Sequence, residues 1–140
     1  MISELLIAWC LLAFTVTIHA VGLSAVLRRL LLSPTLPDTR FGPLTWLLVR
    51  VAWWLVLLHL AEIAVWALFY WWRKCLPDAE SSFYFSGVTY TTVGYGDLVL
   101  PKQWRMLGPI EGLTGILMCG LSTGFFFAVV SKLYAPRAKA

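Results

Sequence analysis

Thr91-Thr92-Val93-Gly94-Tyr95-Gly96-Asp97 is the stretch on which the reading of this chain turns. Two glycines stand two residues apart, and each permits backbone angles that ordinary residues avoid. Just upstream, Ser81 to Thr92 is too short and too polar to cross a bilayer, and Asp78, Ser81 and Ser82 offer caps for a short helix that carries Phe83, Tyr84 and Phe85. A long apolar run lies on either side. This order fits a short helix that enters the membrane and returns through non-helical backbone, which is tolerated at that depth only where it lines a polar cavity.

Composition agrees with a membrane setting. Of 140 residues, 60% are hydrophobic and 13% charged, with a mean hydropathy of +0.80. A water-soluble domain could not cover its surface with so few polar residues. The first apolar run, about Leu5 to Leu32, is interrupted by Thr15, Thr17 and His19 and ends at Arg28 and Arg29. It lacks a basic leader, so it reads as a retained helix and not as a signal peptide. The second, Leu44 to Trp72, carries indoles near both ends, as interface anchors do. The third starts near Trp104 and continues to Tyr134, with Pro109 in its early turns and Gly112, Gly115, Gly120 and Gly124 along it. Small residues at such spacing mark either close helix packing or a bend.

The expected fold class is an all-α membrane protein with three transmembrane helices, a re-entrant pore helix and a filter loop. The divisions are a first helix over 1–33, a cytoplasmic loop over 34–43, an outer helix over 44–73, a pore helix over 80–91, the filter over 92–97, an inner helix over 104–134 and a short cytoplasmic tail over 135–140. A re-entrant segment returns to the side it came from, so Arg73, Lys74, Lys102 and Arg105 share one face. Arg28, Arg29, Arg40, Arg50, Lys132, Arg137 and Lys139 lie opposite. The excess places that second face, with the C-terminus, in the cytoplasm and the filter mouth and N-terminus outside. No basic patch has the polar and aromatic interleaving of a nucleic-acid surface.

Chemistry converges on Thr92 to Gly96. If Gly94 and Gly96 adopt the angles open to them, successive carbonyls, with the Thr92 hydroxyl, can replace a cation's water shell. Val93 and Tyr95 then turn away from the axis, and Asp97 adds negative field at the outer mouth or serves as a local cap. One copy cannot surround an ion. Four carbonyls per layer require four copies, hence a homotetramer in membrane lipid.

Thr91 to Asp97, with the run from Phe83 and the following helix, resembles the prokaryotic potassium channel family of two-helix pore subunits, here with one additional N-terminal helix. The likeness covers roughly Leu44 to Tyr134. It implies passive conduction of nearly dehydrated K⁺, with Thr92, Val93, Gly94, Tyr95 and Gly96 as ligands. Filter support would come from Tyr84, Phe85, Val88 and Thr91. Val88 stands where some bacterial members carry a glutamate, and Tyr84 and Phe85 where tryptophans are frequent. Glu111 either substitutes for that acid behind the filter or pairs with Arg105. The family register places the hinge at Gly115, with Gly112 and Gly120 as alternatives, and Thr123 facing the cavity with Cys119.

Outside that likeness stand His19, His59 and Glu62. His59 and Glu62 are three apart on one helix face, and His19 is near the middle of the first helix. They form either a structural lock or a proton sensor. Cys119 reads as a small buried side chain, and a disulfide between Cys10 and Cys75 stays open. No metal-ligand spacing or catalytic set is visible, so K⁺ is the only metal expected, with no cofactor and no enzyme activity. No soluble regulatory domain is expected, and the first helix has no spaced arginines to act as a voltage sensor. Two other classes remain: a subunit of a coupled potassium transporter, and a non-conducting regulatory subunit.

Overall fold

The computed structural model describes residues 2–32 and 41–134, and four helices make up their regular structure: α1 (Ile2–Leu32), α2 (Phe41–Trp72), α3 (Ala79–Tyr90) and α4 (Leu107–Tyr134). No β-sheet occurs among the described residues, and Thr91–Asp97 is a single non-helical strand of chain between α3 and α4. Three helices are long and apolar enough to cross a membrane, over Ser3–Leu32, Gly42–Trp72 and Leu107–Leu133. The 12-residue α3 would span only about 18 Å, too little for a crossing. The chain is a multi-pass membrane protein.

Several helix ends differ from the sequence expectation, each for a local reason. Phe41 to Pro43, expected in the loop, belong to the first turn of α2, where proline's missing amide removes no intrahelical bond. The rest of that loop and the tail lie outside the described residues. The far end of α2 closes in a Schellman motif at Trp72: Lys74 takes φ +53, Cys75 N–H donates to Tyr70 O (2.9 Å), and Lys74 N–H donates to Trp71 O (3.0 Å). Asp78 caps α3, accepting from Ser81 N–H at 2.7 Å. Trp104 to Met106 form turns and do not extend the inner helix. Trp104 N–H donates to Pro101 O and Leu107 N–H to Trp104 O, so α4 starts at Leu107 and Pro109 falls in its first turn.

Helices α1 and α2 run antiparallel, as successive contacts show. Trp66 Nε1 donates to Thr15 Oγ1 (3.1 Å), His19 meets Glu62, and Trp54 Nε1 donates to the Gly22 carbonyl (3.2 Å). Helix α4 lies parallel to α1, from Ala8 beside Leu107 at one end to Val26 beside Phe125 and Phe126 at the other. The core therefore has two apolar clusters. Ala8, Trp66, Tyr70, Leu100, Trp104 and Leu107 fill one end, and Val26, Val51 and Leu55 fill the opposite end. Between them lies a layer of buried polar side chains that includes Thr15, His19, Glu62 and Ser122.

Candidate ion pathway and its support

Helix α3 leads directly into the strand Thr91–Asp97. Its last turn bonds forward: Thr91 N–H donates to Gly87 O (3.1 Å) and Thr92 N–H to Thr89 O (2.9 Å), while Val88 O accepts from both Val93 N–H (3.0 Å) and Gly94 N–H (3.2 Å). Val88 thus holds the strand through its backbone. Beyond this point the chain takes φ of +62 at Thr92, +57 at Gly94 and +77 at Gly96. Positive φ at alternate residues is what the two glycines permit. Thr92 adopts it without that freedom, at about 1 kcal/mol or more for a non-glycine residue. Every residue from Thr91 to Asp97 is exposed in the single chain, Val93 at 53% and Tyr95 at 72%. Tyr84 donates to Asp97 Oδ2 across the mouth of this strand (2.8 Å).

Behind the strand, two carboxylates lie fully buried. Glu111 of α4 accepts from the Tyr70 hydroxyl (2.7 Å), and the Ser86 hydroxyl of α3 is shared between Glu111 Oε1 (2.5 Å) and the Ile63 carbonyl (2.9 Å). A serine hydroxyl has one hydrogen, so both contacts are served at once when the carboxyl carries a proton of its own. Glu111 therefore stands against the pore helix. Arg105 instead reaches the Leu100 carbonyl (3.4 Å). Phe85 packs edge-on against Tyr70.

Glu62 is the hub of the second group. His19 Nδ1 is 2.7 Å from Oε1, and His59 Nδ1 is 3.4 Å from Oε2. The Tyr90 hydroxyl donates to Oε2 and lies 3.1 Å from His59 Nδ1. Ser122 Oγ stands 3.4 Å from His19 Nε2. Side chains from all four helices meet here, and Tyr90 is the last residue of α3, directly before the filter. No buried side-chain nitrogen or oxygen among the described residues lacks a partner.

Tyr90, Ser122, Ser86 and Tyr70 were not among the candidates from sequence. The available signal was faint: Ser86 and Tyr90 are two of many polar groups in a short polar segment, Tyr70 and Ser122 sit in apolar runs, and the carboxylate or imidazole each meets is 25 or more residues away. Cys119 corrects an expectation. It is exposed, because the buried stripe of α4 runs through Leu107, Glu111, Thr114, Met118 and Ser122, and position 119 falls beside it. Thr123 is exposed next to it and donates to the Cys119 carbonyl (2.9 Å). All three cysteines are free thiols, Cys75 buried and Cys10 exposed.

The hinge candidates differ in surroundings. A β-carbon on Gly115 would stand 1.9 Å from the Tyr90 carbonyl oxygen, and one on Gly112 3.4 Å from Thr89 O, whereas Gly120 meets nothing within 4 Å. Helix α4 crosses the end of α3 at Gly115 and is unbroken there.

A family model described as ion channel matches residues 45–132, the stretch that holds the short helix α3, the exposed strand with alternating positive φ and the spans on either side. The chain belongs to the ion channel family. In this ion channel chain the match takes in most of α2, α3, the strand Thr91–Asp97 and nearly all of α4, and leaves α1 outside. Comparison with curated proteins and with solved structures gives no match.

Proposed function

We propose that this chain is one subunit of a passive, potassium-selective channel built from four identical copies. The observation that carries the reading is the strand Thr92 to Gly96, with positive φ at residues 92, 94 and 96 and no cover from its own chain. Backbone of this kind inside a membrane needs either protein partners or a water-lined cavity, and a fourfold ring supplies both. In that ring the carbonyls of Thr92, Val93, Gly94, Tyr95 and Gly96, with the Thr92 hydroxyl, hold K⁺. Val93 and Tyr95 pack on the neighbouring protein. Thr123 and Cys119, on the uncovered side of α4, line the cavity below the filter. Gly120 is the hinge candidate with most room to bend. The basic ends of α1 and α2 face the cytoplasm, which places the filter mouth outside a plasma membrane.

Purified protein in liposomes tests this reading. Voltage-driven K⁺ flux without any partner is expected, with Na⁺ flux far lower. Gly94→Ala should abolish the flux while leaving the tetramer intact by size-exclusion chromatography. Flux that requires a second protein would favour the transporter reading, and an intact tetramer without flux would favour a regulatory subunit.

A further inference from the structure

We propose that His19, His59 and Glu62 form a transition-metal site, of the kind that takes Zn²⁺, at the junction of α1, α2 and α3. One ligand atom from each of the three residues falls within 4.8 Å of the other two. Two ligands on a tetrahedral Zn²⁺, each at about 2.0–2.1 Å, stand about 3.3 Å apart. The observed separations of 2.7 Å (His19 Nδ1 to Glu62 Oε1) and 3.4 Å (His59 Nδ1 to Glu62 Oε2) straddle that value. The two contacts fall on different oxygens of Glu62, so binding requires the carboxylate and the two rings to shift as well as the His19–Glu62 contact to open. The Tyr90 hydroxyl lies 3.1 Å from His59 Nδ1 and donates to Glu62 Oε2, so it borders the cluster.

Charge favours occupancy by a cation. Glu62 is fully buried, and the groups that face it are His19 from α1, His59 from its own helix and Tyr90 from α3, with Ser122 of α4 beyond His19. No lysine or arginine is among them. A divalent ion would be drawn to the buried carboxylate, and with two neutral imidazoles the filled site would keep a net positive charge whose cost in hydrocarbon the three ligand bonds must offset. Two imidazoles and one carboxylate suit Zn²⁺, Cu²⁺ or Ni²⁺ and not K⁺ or Mg²⁺. The outer nitrogen of His19 meets Ser122 Oγ, the kind of contact that fixes ring orientation at metal centres. No spacing in the sequence announces the site, because its ligands are 40 and 3 residues apart on two helices and meet only when α1 docks.

The site goes beyond the channel reading and is tested separately from conduction. The purified full-length protein in detergent with saturating K⁺ would be dialysed against ZnCl₂, washed and assayed for metal per chain. One Zn²⁺ per chain is expected, with proton release on binding in weakly buffered solution. Substitution of Co²⁺ should give the visible absorption of a tetrahedral site. His59→Ala removes a partly exposed ligand and should weaken binding at least 100-fold, and Ser122→Ala roughly 10-fold. Wild-type protein that holds no Zn²⁺, or equal Zn²⁺ in wild type and His59→Ala, would overturn the proposal and leave a hydrogen-bonded network alone.

Discussion

The strand Thr91–Asp97 and the polar layer behind it are neighbours built on opposite rules. The strand is exposed throughout, carries backbone strain at Thr92 and has little of its own chain to pack against. The layer is buried, and among the described residues each of its buried polar side-chain atoms has a partner within the same chain. One region is uncovered by its own chain, while the other is fully partnered within it. The difference separates two kinds of specification: the layer fixes how the chain folds, and the strand acquires a role only under the proposed fourfold channel reading.

Substitutions can break this division or sharpen it. The largest effect is expected at Glu62. Glu62→Ala strips His19, His59 and Tyr90 of a shared acceptor and should lower protomer stability by about 3 kcal/mol. Thermal unfolding followed by circular dichroism measures this, and a midpoint equal to wild type would refute the hub. Glu111→Ala should be nearly as damaging. Glu111→Gln, which can still accept from Tyr70 and also donate to Ser86, should be mild.

Gly115→Ala comes next. Its methyl group would sit on the Tyr90 carbonyl oxygen, a backbone atom that cannot swing aside, so a loss of about 2 kcal/mol is expected. Gly120→Ala has open space in the same helix and should be close to neutral in the protomer. Equal midpoints for the two variants would show that α3 and α4 do not cross as closely as described.

The smallest effect is expected at Tyr84→Phe, on the strand side of the division. Its hydroxyl donates to Asp97 at an exposed position, and that bond holds the phenol above its ordinary titration range. The contact is therefore present below the usual tyrosine range and is lost as pH rises past the raised one. Removal should leave the unfolding midpoint nearly unchanged and alter the decay of K⁺ current during sustained opening. A large fall in midpoint would place Tyr84 with the buried layer.

Much of the fold was legible because a membrane span needs only a long apolar run, and α1, α2 and α4 each supply one. The strand was legible because Gly94 and Gly96 are residues chosen for backbone angles. The buried layer was only half legible. His59 and Glu62 share a helix face by spacing, but Tyr90 and Ser122 join them through contacts between helices, which leave no periodic trace. Cys119 was misplaced for the same reason: hydrophobicity all round a helix hides which stripe is covered until its neighbours are known.

The His19–Glu62 contact also bears on how the chain is made. A helix with a glutamate and a histidine at its centre is a poor substrate for release into lipid by itself, whereas α1 can offer Glu62 a partner as soon as α2 emerges. Helices α1 and α2 should therefore leave the insertion machinery as a hairpin, before the filter is synthesised. Glycosylation mapping of nascent chains would detect this: α2 alone should insert less efficiently than α2 following α1, and Glu62→Leu should remove the difference. The helix outside the matched family region would then act during biogenesis, as an escort for the outer helix of the pore.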